Sequence, residues 1–458
     1  MAQQSPMTHR YHRIALWLGA FAFAHPAAAQ DTGGLQTDFN LTTGINASDN
    51  PDFVEDDSGT SELRGTADLT FSVSSVTKQD QLRFDTGLQL ETGQDNDIVT
   101  DPFLQLSYGR EGANATFSAA ANLRITDASS TFINTDSFDN QSLIVDTGER
   151  QAIGLQTALD WGAAAPFGGT ISLSHDRSRF VDTSNPDLFD SETTGLENSL
   201  RFDINNQLSA YTDLTLQTRN TTGIGVDRDA VSLAFGVRAT PNDVLSWDTE
   251  LSYQTIDLSG GDPNNPTNET EEGVGLGFNA TYLRPNGNIG LSVSSDIDGN
   301  GRRNAVSVSR SLTTKQANMT FSIGATQSED LSEIEPVLGL DYTYQGRNAQ
   351  LSANLSQSLT TNVDNDEALN TSASVNYTHT LSPRDQFLAG LTLARNDVID
   401  ENNQEQRLTL DLSYTRNITE NIGLTGQYTY QQSDDTQNNK TTANSIFIGI
   451  STNFINNP

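Results

Sequence analysis

Apolar and polar residues alternate with a period of two along most of this chain. The segment Ile422–Gln431, IGLTGQYTYQ, shows the pattern clearly. One parity carries Ile422, Leu424, Tyr428 and Tyr430, and the other carries Thr425, Gln427 and Thr429. Successive side chains of a β-strand point to opposite faces, so this alternation predicts strands with one apolar face and one polar face. Hydrophobic residues make up only 34% of the chain, which fits strands that are apolar on one side alone.

The pattern predicts about 22 strands, with a range of 18 to 24, each about nine to eleven residues long. The connections between them alternate in length. Short connections include Thr77–Asp80 and Ser382–Asp385, and long ones include Ala47–Thr60 and Ile256–Glu272. Strict alternation requires consecutive antiparallel strands and two different ends. The predicted fold class is therefore all-β, a transmembrane up-and-down antiparallel β-barrel. Closure of the sheet gives every backbone amide a hydrogen-bond partner on a neighbouring strand, which the surrounding lipid cannot supply.

The first 29 residues have the pattern of a secretory signal peptide. Arg10 and Arg13 form a basic segment, Ile14–Ala24 is an apolar run, and Ala27–Ala29 is a small-residue cleavage site. The apolar run is too short to cross a bilayer as a helix. We therefore expect residues 1–29 to be a cleaved signal and residues 30–458 to form a single barrel domain.

Composition and motifs argue against several functions. The net charge of −34 speaks against a nucleic-acid partner, because phosphate binding needs clustered Lys and Arg. The chain has no cysteine, so disulfides, thiolate metal sites and cysteine nucleophiles are excluded. Asp296–Gly301, DIDGNG, lacks the later ligands of a calcium loop and predicts a hairpin turn. His175 stands beside a serine and an aspartate, but neighbours on a strand point to opposite faces, so we interpret it as an ordinary polar residue. We expect no catalytic, cofactor-binding or metal site.

Polar and charged residues on the second parity predict the wall of an aqueous interior. In a membrane barrel this parity faces the lumen, and the apolar parity faces lipid. The candidate lumen-lining residues are Arg83, Asp85, Gln89, Arg201, Asp203, Thr425, Gln427 and Thr429. Two interpretations stay open for the charged ones: they line a channel, or they pair across strands and fix the register.

Several aromatic residues fall near the short-turn ends of their strands. These are Trp161, Trp247, Tyr282, Phe387 and Phe454. Strands are rich in aromatic residues for packing reasons alone. The bias towards one end favours an interfacial girdle, in which the rings lie at the level of the lipid headgroups.

Charge differs between the two kinds of connection. Long connections are acidic, as at Glu269 and Glu271, whereas short ones carry bases such as Lys78 and Arg347. Acidic loops around a pore mouth would concentrate cations and could hold divalent ions that bridge to lipopolysaccharide. The simpler interpretation for most of these residues is a solvated surface that keeps the loops soluble. The longest connection, Thr126–Arg150, is the candidate for a loop that folds into the lumen.

Two segments resemble outer-membrane β-barrel proteins of Gram-negative bacteria, and in particular β-barrel porins of proteobacteria. In Tyr377–Asp397 and Tyr414–Asp435 a strand ends in a basic residue, a short turn follows, and an aromatic-rich strand runs out to an acidic loop. The resemblance implies a channel in the outer membrane, surrounded by lipid and lipopolysaccharide and inserted by the barrel-assembly machinery. Some such proteins accompany exopolysaccharide export.

The chain departs from this resemblance in two ways. Outer-membrane barrels usually end on an aromatic residue, whereas here Ile455–Pro458 follow Phe454. Barrels of about 22 strands usually carry a plug in the lumen, but the first predicted strand begins at Leu35, soon after the signal. The channel is then wide and open, or it is filled by side chains and loops, or the strand count is too high.

The sequence therefore predicts a porin-like outer-membrane channel for passive diffusion of small hydrophilic solutes, with a bias towards cations. One alternative is a conduit for polysaccharide export, which aromatic residues on the lumen parity would favour. Another is a structural or adhesive surface protein without a pore, built as a β-solenoid. A solenoid would show a fixed sequence repeat, and none is visible.

Overall fold

The structure is a computed structural model of the chain. It describes residues 34–50, 53, 61–92, 99–127, 132–134, 141–143, 148–183, 188–223, 225–261, 266–329, 331, 333–361, 367–399, 403–435 and 440–456. The predicted signal peptide and its cleavage site lie outside the described residues.

The described residues form 24 β-strands. In chain order they are β1 (Leu35–Ser48), β2 (Glu62–Val76), β3 (Asp80–Thr92), β4 (Val99–Glu111), β5 (Ala115–Asp127), β6 (Phe132–Asn134), β7 (Gln141–Leu143), β8 (Glu149–Trp161), β9 (Phe167–Val181), β10 (Ser191–Asn205), β11 (Leu208–Thr221), β12 (Val226–Asn242), β13 (Leu245–Gly260), β14 (Thr267–Arg284), β15 (Gly287–Asp298), β16 (Gly301–Thr313), β17 (Ala317–Ser328), β18 (Glu335–Gln345), β19 (Ala349–Thr361), β20 (Glu367–Ser382), β21 (Asp385–Val398), β22 (Asn403–Asn417), β23 (Ile422–Asp435) and β24 (Lys440–Asn456).

The 22 long strands form one closed antiparallel sheet. Each pairs with the next in the chain, β5 pairs with β8, and β1 closes the barrel on β24 with a register from Thr37↔Asn456 to Ser48↔Ser445. β6 and β7 form a separate hairpin within the β5–β8 connection. The predicted fold class and strand number are confirmed. No helix in the described part of the chain is long and apolar enough to cross a membrane.

The barrel strands are longer than the sequence predicts. They run from 11 residues in β18 to 18 in β14, because the antiparallel ladder continues into segments that were predicted to be loops. Most of Ile256–Glu272, for example, is ladder, with Ile256 opposite Glu271. A ladder satisfies its own backbone hydrogen bonds, so it can extend past a bilayer into water.

The barrel has a short-turn end, where Leu35 and Asn456 lie, and an opposite outer end. Three short turns share a threonine that caps the turn: in one of them Thr77 N donates to Asp80 O at 2.8 Å, and Asp80 N donates to Thr77 Oγ1 at 2.9 Å. Thr314 and Thr419 make the corresponding bonds. A threonine hydroxyl that captures a backbone amide stabilises such a turn locally.

The strict alternation of long and short connections is wrong in two regions. The three successive connections between β21 and β24 are each four residues long, and the β15–β16 connection is as short as a turn of the opposite end. At the outer end, only Gly299 and Asn300 join β15 to β16, and Asp298 is opposite Gly301. Gly301 has a φ of 86°, which a glycine adopts without strain. The hairpin turn predicted for DIDGNG is therefore confirmed, although it is short at an end where a long connection is expected.

The register separates two continuous faces, because directly opposed residues on paired strands share a face. One face is apolar across the seam of the barrel, where Phe39 lies opposite Phe454 and Ile45 opposite Ile448. The other face is polar in the same strands, where Thr42 lies opposite Asp68 and Asp68 opposite Gln89. The apolar face leaves large side chains exposed, with Ile448 at 62%. Such exposure fits a surface in contact with lipid.

Much of the buried core lies at the outer end rather than at mid-barrel. We name this region the outer cap and define it by its buried members. They are Val226, Ile256, Leu258, Ile297, Asn300, Ser328, Leu331, Leu359, Thr361, Glu367 and Ala368. These residues come from the outer ends of β12, β13, β15, β17, β19 and β20 and from the connections between them. The outer strand ends therefore pack on one another, whereas mid-barrel side chains contact mainly the wall.

Candidate channel lumen

The polar face lines the concave side of the sheet. At the seam, five adjacent strands (β23, β24, β1, β2 and β3) border one concavity of about 380 Å³. Its lining residues are Thr42, Asn46, Thr66, Asp68, Gln89, Thr425, Gln427, Thr429, Ser445 and Phe447. All of them belong to the polar face in the strand register. A hollow that spans several strands of a closed sheet lies on its inner side, so this face borders the lumen.

Four of the predicted lumen residues meet in this concavity: Gln89, Thr425, Gln427 and Thr429. Gln427 Nε2 donates to Thr429 Oγ1 at 3.4 Å, and Thr429 Oγ1 donates to Asp411 Oδ1 at 2.7 Å. The register brings them together although Gln89 lies far from the others in the sequence. Their part in transport stays a prediction.

The four charged candidates form two ion pairs within single strands. Arg83 Nε lies 2.7 Å from Asp85 Oδ2, and Arg201 Nε lies 3.2 Å from Asp203 Oδ2. Residues two apart share a face of the same strand. These ion pairs join no two strands, whereas Asp85 also accepts a hydrogen bond from Ser72, its directly opposed neighbour on β2. Arg201 in addition donates to the Gly162 carbonyl oxygen at 3.0 Å, which ties it to the neighbouring short turn.

Several aromatic side chains lie on the lumen face, which the sequence analysis did not identify. Phe103, Tyr211 and Phe447 each lie over a glycine of the paired strand: Gly87, Gly236 and Gly44. Their parity could have revealed them, because Phe447 falls between Ile446 and Ile448 of the apolar row. The predicted girdle residues lie at strand ends on the apolar parity, whereas these three residues lie on the polar parity.

An ion-pair cluster joins the outer ends of strands that are not neighbours. Arg303 of β16 donates from Nη2 to both carboxylate oxygens of Glu367 of β20, at 3.0 and 2.9 Å, and lies 2.8 Å from Asp298 Oδ2. Strands β17, β18 and β19 separate β16 from β20 along the wall. At about 4.8 Å per strand, this separation is roughly 19 Å along the sheet. The two strand ends must therefore lean towards each other over the lumen.

Asp298 sits at the outer hairpin, beyond the part of β15 that crosses the membrane. Burial raises the pKa of its carboxyl above the ordinary value, while the charge of Arg303 lowers it and Glu367 adds to the rise. The cluster is therefore a closely packed group of two acids and a base, with Arg228 nearby.

Two further segments enter the outer mouth. Phe53, from the β1–β2 connection, is 5% exposed, and the Arg407 guanidinium lies 5.2 Å from its ring centre. β7, within the predicted loop Thr126–Arg150, lies within 8 Å of β21 between Cα atoms. Strands β4, β3, β2, β1, β24, β23 and β22 separate β5 from β21 along the wall, so this hairpin lies across the mouth.

The five predicted interfacial aromatics lie near the short-turn end and on the apolar face. Trp161 packs edge-on against Phe167 with ring centres 4.9 Å apart, and Phe454 lies 6.3 Å from Phe39. The remaining three are Trp247 opposite Ala239, Tyr282 opposite Ile289 and Phe387 opposite His379. Contact of these rings with lipid headgroups stays a prediction.

Chemistry-bearing clusters are sparse in the described part of the chain. No group of three or more His, Cys, Asp and Glu side chains there could hold a metal ion. His175 Nδ1 lies 3.0 Å from Thr194 Oγ1, its cross-strand neighbour. This contact fits the interpretation of His175 as an ordinary strand residue.

The sequence matches no protein-family model, and no curated protein matches it. Solved structures do match. The FrpB iron transporter from Neisseria meningitidis (F5-1 variant) has a TM-score of 0.61 at 7% identity, covering 92% of this chain and 82% of that chain. The siderophore receptor PirA from Pseudomonas aeruginosa has a TM-score of 0.51 at 11% identity, covering 93% and 81%. The alcaligin outer membrane receptor FauA from Bordetella pertussis has a TM-score of 0.53 at 8% identity, covering 92% and 76%.

At sequence identities this low, the similarity shows only that the folds are alike. The predicted resemblance to Gram-negative outer-membrane barrels is confirmed at the level of the fold. The protein has the fold of outer-membrane transport proteins.

Proposed function

We propose that the protein is an outer-membrane channel through which small hydrophilic solutes diffuse passively, with a preference for cations. The breadth of the barrel supports this proposal. Strands spaced about 4.8 Å apart and tilted by about 40° give a 22-stranded cylinder a backbone diameter of roughly 40 Å. The inner face carries hydroxyls, amides and charges, which water and hydrophilic solutes can contact.

The observation that carries the cation preference is an imbalance of charge on the lumen face. The lumen arginines Arg83, Arg201 and Arg238 each face a carboxylate. Several lumen carboxylates instead accept a hydrogen bond from a neutral side chain. These are Glu197 from Ser172 at 3.3 Å, Asp341 from Asn354 at 2.6 Å and Asp411 from Thr429 at 2.7 Å. The lumen face also carries Arg124, opposite Phe103, for which no ion pair is observed among the described residues. The three carboxylates outnumber it, so the charge that is not neutralised is on balance negative, and a negative wall enriches cations.

The environment proposed for the barrel follows from its two faces. The apolar face contacts outer-membrane lipid, the acidic outer loops lie beside lipopolysaccharide, and the barrel-assembly machinery inserts the chain after cleavage of residues 1–29. No nucleic acid takes part, and the proposed role requires no enzymatic activity.

The outer cap favours a second candidate function, a channel that stays closed until a ligand binds at its outer mouth. Similar structures are named as iron transporters and siderophore receptors, so a metal complex is one ligand class to try. In this case the wild-type protein would conduct poorly by itself.

Planar-bilayer recording of the purified full chain tests both candidates. A steady conductance, with a reversal potential in a KCl gradient that indicates K⁺ over Cl⁻, is the expected result. Asp341→Asn combined with Asp411→Asn should move the reversal potential towards zero, whereas Thr429→Val should change it less because it removes no charge. A preference for Cl⁻ would overturn the proposed cation bias. Conductance that appears only with an added ferric siderophore would favour the second candidate.

A further inference from the structure

An aromatic side chain, Phe447, borders the lumen at the seam of the barrel. Gly44 and Gly449 are directly opposed on β1 and β24. A Cβ atom on Gly44 would lie 2.3 Å from Phe447 Cε2, and one on Gly449 would lie 2.3 Å from Phe447 Cζ. The Phe447 ring therefore fills the space above both glycines, where the Cβ atom of any larger residue would collide with it. The ring also borders the concavity of about 380 Å³.

Phe447 differs from Tyr211, which also lies over a glycine. Tyr211 is 5% exposed, and the Arg238 guanidinium lies 4.4 Å from its ring centre. Its hydroxyl lies 3.0 Å from oxygens of Asp248 and Glu250. Tyr211 is thus covered by other groups of the wall and leaves no ring surface for a solute. Among the described residues, no aromatic ring or guanidinium covers Phe447.

Polar groups surround the Phe447 ring on both sides. Thr425 and Gln427 approach from β23, and Thr42 and Asp68 from β1 and β2. These side chains offer hydroxyl, amide and carboxylate groups, and so both donors and acceptors. The volume lies within the range of about 300–1,000 Å³ that is usual for small-molecule sites.

An aromatic face with a polar rim is complementary to one class of solute. A pyranose ring has an apolar C–H face and an edge of hydroxyls, so the first can stack on Phe447 while the second exchanges hydrogen bonds. Phosphorylated or acidic sugars would be disfavoured, because Asp68 brings a negative charge to the site.

We propose that Phe447 and the polar groups around it form a sugar-binding subsite on the lumen wall, which takes a neutral pyranose unit of a small oligosaccharide. The proposal rests on the channel function proposed above and names a solute class for it.

Maltotriose is a suitable probe. Its binding can be measured by current block in planar bilayers and by saturation-transfer NMR with the full chain in detergent. We expect a concentration-dependent block and a transfer signal for the wild-type protein. Phe447→Leu keeps an apolar cover over the two glycines but lacks a ring face, so it should weaken binding about fivefold or more. Phe447→Tyr should retain binding.

Phe103→Leu is the matched control, because Phe103 lies over Gly87 on the lumen face but does not border the concavity. It should bind maltotriose as the wild-type protein does. Heat-dependent gel mobility establishes that each variant forms a folded barrel, and Gln427→Ala provides a second route to the same site if Phe447→Leu does not fold.

The two proposals can fail separately. Channels that conduct salt but show neither block nor transfer signal would refute the subsite and leave the channel function intact. Equal binding by the Phe447→Leu and Phe103→Leu variants would also refute it. If the protein does not conduct at all, the channel function fails, and the NMR comparison of the two variants then decides the subsite by itself.

Discussion

Replacing Arg303 with alanine should open the outer cap. The guanidinium is the only group of this cluster for which ion pairs to both Glu367 and Asp298 are observed among the described residues. Glu367 is 5% exposed, so the variant leaves a carboxylate buried beside a second one without the cation that held them. Like charges at close range repel, and a buried charge without a partner is costly.

The magnitude follows from burial. Breaking a buried ion pair by removing one partner costs about 3–5 kcal/mol. The Arg303 side chain is itself 22% exposed, which places this case near the lower limit, at about 3 kcal/mol. That free energy corresponds to roughly a 150-fold change in the equilibrium between closed and open cap. The cap would then be open for a much larger part of the time than in the wild-type protein.

Single-channel recording gives the most direct readout. We expect Arg303→Ala to raise the open probability and the mean conductance. Arg83→Ala is the matched control, because it also removes a lumen arginine from an ion pair, but that side chain is 65% exposed. An exposed pair contributes little to stability, so the control should keep the open probability of the wild-type protein.

A double variant, Arg303→Ala with Glu367→Ala, separates the pair from its surroundings. Removing both charges should restore part of the closed population, because Glu367 is then no longer a buried charge without its partner. Comparison of the single and double variants in a double-mutant cycle measures the coupling between the two groups. Identical recordings from Arg303→Ala and Arg83→Ala would refute the reasoning, since they would show that the cluster does not hold the mouth closed.

Three more outcomes follow from the described side chains. Tyr211→Phe removes the hydroxyl that donates to Asp248 Oδ1 at 3.0 Å. The free energy of unfolding, measured in urea, should fall by about 1.5–3 kcal/mol. An unchanged midpoint of the urea transition would show that this hydrogen bond does not stabilise the barrel. The carboxyl pKa of Asp298 is raised in the folded protein, so protonation of Asp298 stabilises the closed cap. This stabilisation is fully present below the ordinary carboxyl pKa and is lost as the pH rises through the raised value. Acidification from neutrality should therefore lower open probability, and Asp298→Asn should flatten the response. Trp247→Phe leaves Trp161 as the only tryptophan after residue 29, and lipids brominated near the headgroup should quench its fluorescence more than lipids brominated at the chain end.

The wall of the barrel could be predicted because the position of each residue in the alternating pattern determines the face on which its side chain lies. A period-two pattern needs no knowledge of distant residues: Leu424 and Thr425 fall on opposite faces whatever strand lies beside them. Strand number then follows from counting, and closure follows from the unsatisfied edges that an open sheet would leave in lipid. Strand length could not be predicted in the same way, because residues such as Ile256 and Glu271 pair in a region where polarity resembles that of a loop.

The outer cap could not be predicted, because its contacts join residues that are distant in the sequence. Arg303 and Glu367 are 64 residues apart in sequence, and neither the apolar pattern nor turn chemistry links them. Phe53 and Arg407 are a similar case, with a loop residue lying under a guanidinium from the other side of the seam. Contacts of this kind depend on which strand ends lean inwards, and no local propensity encodes that.

Phe447 lies between these two cases. Its parity was readable from SIFIGISTNF, where it interrupts the outward isoleucines. What the sequence did not reveal is that Gly44, from the far end of the chain, would be its neighbour. Glycine at both opposed positions leaves the space that the ring occupies against the wall. A lumen aromatic thus becomes a platform only after the barrel closes.

The wall and the outer cap are stabilised by different interactions, so they should respond separately to perturbation. The wall depends on a continuous backbone ladder, including the β1–β24 closure, and a side-chain change in the cap leaves that ladder intact. The cap depends on a few buried polar contacts such as Arg303 with Glu367, and regions of this kind open at a fraction of the global unfolding free energy. Arg303→Ala should therefore increase conductance while the barrel keeps its wild-type resistance to heat on a gel. Loss of that resistance together with the change in conductance would mean that the cap and the wall unfold as one unit, and that the outer mouth is part of the structural core.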